Sequence, residues 1–192
     1  MNPRKTNLIV SILSGAAFIL ILGAESMAVP QLDSTDSNLK LDLSVRTPQK
    51  PQEILSFVVT LENVGEADLI LNLGWMNANG KRQIPEAIIF SLTDSSGISK
   101  EGHYFYWSPS VRMDDYVVPL RAGSTYSLRI SMDRIMWSGE QQPRPNLSSG
   151  EYRIRADFKG NGAEHADRND TISLMKFWKG RLKSKEISFK IG

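Results

Sequence analysis

The sequence predicts an all-β fold, and three observations support that prediction. Apolar and polar residues alternate along several short stretches, which places the apolar side chains of each stretch on one face of a strand. Residues that favour turns, namely Gly, Pro, Asn and Asp, separate these stretches. Apolar residues at helical spacing are almost absent. About seven to nine short strands of this kind pack best as an antiparallel sandwich of two sheets.

Six stretches are predicted as strands. In four of them the alternation is regular, which is typical of half-buried strands with one face in the core and one in solvent. These four are 39–46, 124–132, 151–158 and 186–191. The other two are apolar and rich in β-branched residues, which is typical of central strands. These two are 54–63 and 86–94.

Turn residues indicate how some of the strands are joined. Asn63 and Gly65 tolerate positive φ, so they predict a tight hairpin from the preceding strand to one at 67–73. A second turn is predicted at 94–97, just before an aromatic run. One helical turn is predicted near 133–137, where an aspartate could cap it, and this turn would close one end of the sheets.

The N-terminus has the layout of a secretory signal peptide at 1–28. Arg4 and Lys5 precede an uncharged apolar run, and small residues follow it, so cleavage is predicted after Ala28, with Ala24 as a second choice. An uncleaved anchor is the alternative, because a membrane span needs roughly 20 apolar residues. The strictly apolar part is shorter than that and is followed by a glycine and a glutamate, which favours cleavage.

Cleavage would leave a short polar linker at 29–38 and one β-sandwich domain at 39–192, secreted or located in the periplasm. The chain contains no cysteine, so it has neither disulfides nor a lipid-modified cysteine, and an exported domain without disulfides favours a bacterial source. Basic and acidic residues nearly balance, 23 against 21, which gives no reason to expect nucleic-acid binding or attraction to a membrane.

Three segments resemble bacterial extracellular immunoglobulin-like domains, including the cell-adhesion-related and proteinase-inhibitor-like sandwiches. FVVTLENVGEADLILNLG, at 57–74, resembles their B-to-C hairpin with its Asn-x-Gly turn. LSSGEYRIRADF, at 147–158, resembles the entry to a late strand, and FWKGRLKSKEISFKI, at 177–191, resembles their C-terminal tail. The resemblance implies an immunoglobulin-like sandwich, but these segments carry no catalytic residue from which an activity would follow.

Catalysis and metal binding have weak support in the sequence. His103 and His165 are the two histidines, and neither lies in a nucleophile motif such as Gly-x-Ser-x-Gly, so no enzyme and no cofactor are expected. The acidic stretch 164–170 departs from the pattern of a calcium loop and contains Arg168, so a solvated loop is expected in place of a metal site.

The basic stretch at 176–185 surrounds Phe177 and Trp178 with lysine and arginine. Such a mixture could bind an anionic polysaccharide or another polyanion. The alternative is structural, because lysines protect an exposed edge strand from aggregation while Trp178 and Leu182 cover the open end of the core.

The main candidate for a ligand site is the aromatic run HYFYW at 103–107. In a strand its side chains alternate between the two faces, so both faces would carry rings, and flat rings on an exposed face can stack on sugars. The alternative is that Phe105 and Trp107 fill the core while the tyrosines lie on the outer face. The predicted binding residues are His103, Tyr104, Tyr106, Trp107, Arg112 and Asp114.

The sequence therefore predicts an exported, non-catalytic module that binds a protein or a glycan at the cell surface or in the envelope. One alternative is a carbohydrate-binding module that uses these aromatics together with Trp75. Another is a proteinase inhibitor, in which the loop at 75–85 would enter a protease cleft and place Lys81 or Arg82 in a pocket for basic side chains.

Overall fold

The structure is a computed structural model, and it describes residues 38–46, 48, 54–77, 80–105, 112–140, 143, 147–162 and 176–191. The predicted signal peptide and the predicted linker up to residue 37 lie outside these ranges. Within them, every element is a β-strand except one short 3-10 helix, so the all-β prediction is confirmed. The strands are β1 (Leu39–Arg46), β2 (Ser56–Asn63), β3 (Leu69–Asn77), β4 (Gln83–Ile84), β5 (Ile88–Thr93), β6 (Ser99–Tyr104), β7 (Met113–Leu120), β8 (Thr125–Ser131), β9 (Ile135–Trp137), β10 (Gly150–Gly160), β11 (Lys176–Phe177), β12 (Gly180–Lys183) and β13 (Ile187–Ile191).

These strands form three hydrogen-bonded sheets, where the sequence predicted two. Sheet 1 has the order β1-β2-β8, and sheet 2 has the order β12-β10-β5-β6-β9, with β13 also paired to β10. Sheet 3 has the order β11-β3-β4, with β7 also paired to β3. Strand pairing is antiparallel except between β11 and β3, which run parallel.

The six strands predicted from the sequence are all present. In β10, for example, Tyr152, Ile154, Ala156 and Phe158 are buried, and the residues between them are exposed or half-buried. The two strands predicted to be central are central, because β2 lies between β1 and β8, and β5 lies between β10 and β6. The predicted turn at 94–97 joins β5 to β6, with Gly97 at φ +82°.

All three sheets contribute to one hydrophobic core. Phe57 of β2 lies with its ring centroid 5.3 Å from that of Phe90 in β5 and 6.2 Å from that of Phe189 in β13, so sheets 1 and 2 meet face to face. Sheet 3 adds buried leucines from β3 and the buried side chains of Tyr116, Val118 and Leu120 from β7. The described residues belong to one compact unit, Asp33–Gly192.

The hairpin predicted at Asn63 and Gly65 is wrong. Strand β2 pairs with β1 and β8, whereas β3 lies in a different sheet, so the chain crosses between sheets at this point. Gly65 does not have positive φ. Glycine fits this position because the Cβ of a larger residue would lie 2.7 Å from the Cβ of Asn38. Asn63 is fully buried and holds the crossing by hydrogen bonds to the backbone, so the Asn-x-Gly pattern marks a corner of the core.

The helical turn predicted near 133–137 is only partly present. A 3-10 helix covers Met132–Arg134, but Ile135–Trp137 form strand β9, which pairs with β6 at the edge of sheet 2. Asp133 lies within the helix and does not cap it. Ile135 and Trp137 are buried on one face of β9, and Gly102 opposite Trp137 leaves room for them, since a Cβ there would lie 2.6 Å from both side chains. The burial of every second residue is thus the pattern of a strand, and Ile135–Trp137 are extended for that reason.

A pair of tyrosines predicts how stability depends on alkaline pH. The hydroxyls of Tyr116 in β7 and Tyr126 in β8 are hydrogen-bonded to each other. Burial, together with this hydrogen bond, raises the pKa of Tyr116 above its ordinary value of 10. The unfolded chain then loses this proton at a lower pH than the folded chain, so the free energy of unfolding should be unaffected below pH 10 and fall above it, by at most about 1.4 kcal/mol per pH unit.

Tyr116→Phe tests this dependence. Urea unfolding between pH 9 and pH 11 should show a shallower alkaline loss of stability for the variant than for the native chain. Equal slopes would contradict a raised pKa at this tyrosine.

Candidate functional site

The structure separates the aromatic run between the two faces of sheet 2. His103 is exposed on the outer face, whereas Tyr104 is partly buried and packs against the core. Phe105 is half-buried, and its backbone N–H donates to the carbonyl of Arg134 over 2.6 Å. Tyr106 and Trp107 lie outside the described residues. The alternative that placed both tyrosines on the outer face is therefore wrong for Tyr104, because the alternation along β6 turns it inward.

The polar residues predicted to support this run lie on β7 or next to it. Arg112 donates from Nε to Asp114 Oδ1 over 2.9 Å, and the Arg112 side chain is otherwise exposed. Asp114 is opposite Met76 of β3, and Asp115 is opposite Trp75. The predicted pair Arg112 and Asp114 thus forms an ion pair, while Asp115 lies beside Trp75.

Lys81 and Arg82 lie in the turn between β3 and β4 and are exposed. The N–H of Asn77 donates to the carbonyl of Arg82 over 2.9 Å, so that carbonyl is used within the hairpin. An inhibitor loop offers extended backbone to a protease, as an added strand does. Residues 78 and 79 of this turn lie outside the described residues, so the inhibitor hypothesis stays a prediction.

A cavity of about 390 Å³ lies between sheet 3 and the outer face of sheet 2, and we call it the Trp75 pocket. Three residues from sheet 2 form its inner side: Ile89, His103 and Lys159. Their positions follow from the alternation of each strand, because the neighbours of Ile89 and Lys159 are buried in the core. The remaining lining residues are Asn72, Gly74, Trp75, Glu86, Ala87, Asp115, Asn161 and Gly162.

A β-bulge in β3 builds the wall of the pocket. The pairing of β3 with β7 shifts register between Asn72 and Trp75. Gly74 has φ +130°, and a Cβ there would lie 2.4 Å from the carbonyl oxygen of Ile84, so the position requires glycine. The Asn72 amide fixes the bulge, accepting from the Gly74 N–H over 3.0 Å and donating to the Gly162 carbonyl over 3.1 Å. Bulges commonly re-aim a side chain in this way, and here that side chain is Trp75.

The indole of Trp75 is held in place by a carboxylate. Its Nε1 donates to Glu86 Oε2 over 2.6 Å. The residue after Glu86 is fixed in turn, because Ala87 donates from N–H to the carbonyl of Leu73 and accepts at its own carbonyl from the Lys159 N–H. Trp75 is half-buried, so part of its ring remains accessible to a ligand.

The pocket mixes hydrogen-bonding groups of both charges around this ring. Glu86 and Asp115 supply carboxylates, Lys159 supplies an ammonium group, and the His103 ring lies with Nε2 2.7 Å from Glu101 Oε1. Such a lining suits a ligand rich in hydroxyl groups. In the described part of the chain, no three His, Asp or Glu side chains come together in a way that could hold a metal ion. The acidic stretch 164–170 lies outside that part.

The basic C-terminal stretch 176–185 has the features of an edge strand that covers the core, which was the alternative to a polysaccharide site. Strand β12 is at the edge of sheet 2, and its arginine and lysine side chains are exposed. Trp178 is buried and stacks on Phe158, with ring centroids 5.5 Å apart, while Leu182 is half-buried and packs against the core. Trp178 therefore belongs to the core, while Phe177 is half-buried on β11.

No protein-family model matches the chain, and no curated protein matches it. The similarity to immunoglobulin-like domains stays a resemblance of three segments. Within the described residues, no helix has the length and apolar character needed to cross a membrane.

The sequence placed Trp75 among the candidates but did not connect it with Glu86, Lys159 or Asn72. The signal that could have done so is Gly74, because a glycine inside a strand pattern marks a bulge or a close backbone approach. The contribution of Lys159 depends on how sheets 2 and 3 meet, which local alternation does not encode.

Proposed function

We propose that this chain is an exported, non-catalytic, immunoglobulin-like module that binds a glycan in the Trp75 pocket. The observation that carries the proposal is the accessible indole of Trp75, fixed by Glu86 at the wall of a cavity with polar lining. A flat ring can cover the apolar face of a sugar, and the surrounding carboxylate, amide and ammonium groups can bond its hydroxyls. A rigid ring loses little conformational freedom on binding, which favours affinity.

The location of the pocket also supports binding without chemistry. Its polar groups come from several strands of two sheets, so their positions are fixed by the fold. His103 has an exposed carboxylate as its partner, and no nucleophilic side chain is hydrogen-bonded to it among the described residues. A nucleophile oriented by a base, the usual requirement for covalent hydrolysis, is therefore lacking in the described part of the site.

Trp75→Ala tests the proposal. The purified chain should bind members of an immobilised glycan panel, and the variant should lose at least about tenfold in affinity, since aromatic contacts at binding hot spots are commonly worth more than 1.4 kcal/mol. Trp75→Phe keeps a ring without the indole N–H and should retain part of the affinity. Unfolding curves of both variants provide the control for folding.

Failure of the native chain to bind any member of a broad panel would overturn the proposal. Equal binding by the native chain and Trp75→Ala would place the site elsewhere. A protein partner and inhibition of a trypsin-like protease through Lys81 or Arg82 remain the competing hypotheses, and Arg82→Ala tests the latter.

A further inference from the structure

We infer that the Trp75 pocket selects an acidic glycan, one that carries a carboxylate or a sulfate group. This inference rests on the proposed function and specifies the class of sugar. Its basis is a pair of cations at the side of the pocket nearest strand β12.

Lys159 and Arg181 are directly opposite each other in the pairing of β10 with β12. Directly opposed residues project to the same face, with Cβ atoms about 5 Å apart. Both side chains are exposed, and Lys159 lines the pocket. Two like charges in this arrangement repel each other and destabilise the sheet.

The two arginines on this face of β10 have carboxylate partners. Arg153 lies 3.1 Å from Glu186, and Arg155 lies 3.3 Å from Asp157. Within the described residues, no carboxylate lies within ion-pair distance of Lys159 or Arg181. The sheet therefore compensates its cations everywhere on β10 except at the pocket, where a ligand anion would supply the missing charge.

Neither carboxylate of the pocket forms an ion pair with Lys159 or Arg181. The Glu86 carboxylate accepts from the Trp75 indole, and Asp115 is opposite Trp75 on β7, so both carboxylates lie beside Trp75 of sheet 3. A sugar on Trp75 would thus meet hydrogen-bond acceptors at sheet 3 and the ammonium group of Lys159 at sheet 2, with Arg181 beside that lysine on β12. An acidic sugar fits this polarity, with its hydroxyls toward sheet 3 and its anionic group toward Lys159 and Arg181.

The test compares acidic polysaccharides with uncharged forms of the same backbone: polygalacturonate with its methyl ester, and dextran sulfate with dextran, within the same glycan panel. Lys159→Gln and Arg181→Gln should each weaken binding to acidic members by about tenfold, because each removes a charge-assisted hydrogen bond. Added salt should weaken binding by the native chain more than by either variant. Lys190→Gln is the matched control, since Lys190 is exposed on the same sheet but lies opposite Glu151.

The outcomes separate the two claims. Binding of acidic forms that is lost in Lys159→Gln and Arg181→Gln and retained in Lys190→Gln supports the inference. Equal binding of acidic and uncharged forms that still depends on Trp75 overturns it and leaves the proposed function standing. If Lys190→Gln weakens the binding of acidic glycans as much as the two pocket variants do, the inference is also overturned, because binding would then depend on the net charge of the protein. Binding to no glycan overturns both.

Discussion

Replacing Asn63 with alanine is expected to lower the free energy of unfolding by about 2–4 kcal/mol, because three backbone groups lose a buried partner. The Asn63 side chain is fully buried. Its Nδ2 donates to the carbonyls of Ala67 over 2.8 Å and Leu120 over 3.1 Å, and its Oδ1 accepts from the Gly65 N–H over 3.1 Å. Alanine would leave the Leu120 carbonyl unpaired where water does not reach easily, whereas the groups of Ala67 and Gly65 are only partly buried.

Asn72→Ala is the matched control for this measurement. Asn72 makes the same kinds of bond, to the Gly74 N–H and the Gly162 carbonyl, but it is half-buried. Water can replace its side chain, so its loss should cost only about 1 kcal/mol. Urea unfolding of both variants compares the two values. A cost at Asn63 no greater than that at Asn72 would contradict the account of a buried corner.

The second large effect is expected for Gly160→Ala, which should destabilise the fold by about 2–3 kcal/mol through overpacking. A Cβ at this position would lie 2.3 Å from Cε3 of Trp178 and 2.8 Å from its carbonyl oxygen. Rotation of the indole relieves the first contact but not the second, because the carbonyl belongs to the backbone. The strand or the tryptophan must shift, and Trp178 would lose its stacking on Phe158.

Gly150→Ala is the control on the same strand. Its Cβ would meet only the Tyr152 ring, at 3.9 Å, which is an ordinary contact. This variant should be neutral or more stable by about 0.4–1 kcal/mol, since alanine restricts the unfolded chain. Thermal unfolding distinguishes the two variants, and equal melting temperatures would show that the space around Gly160 is not limiting.

Local patterns of apolar residues were sufficient to predict six strands, and regular alternation also predicted the inner and outer faces of four of them. It succeeded because each of these strands has one face in the core, so the apolar period reports burial directly. β2 and β5 were recognised as central for a related reason, since strands between two partners carry more apolar and β-branched residues.

Features that depend on contacts between sheets escaped prediction. Asn63 and Gly65 match the chemistry of a hairpin, but the partner of β2 is decided by core packing, which places β3 in another sheet. Ile135 and Trp137 follow a helical turn in sequence, yet the space above Gly102 favours a strand. The candidate site was partly anticipated: His103 and Trp75 were identified separately, whereas their meeting in one pocket depends on the bulge at Gly74.

The most direct test of the central claim follows the four tryptophan indole N–H signals by NMR during titration with a bound glycan. Assignment would use single Trp→Phe variants. The Trp75 signal should shift, while those of the buried Trp137 and Trp178 stay in place. A shift of the Trp107 signal with no change at Trp75 would contradict binding in the Trp75 pocket and would indicate a site at the aromatic run 103–107.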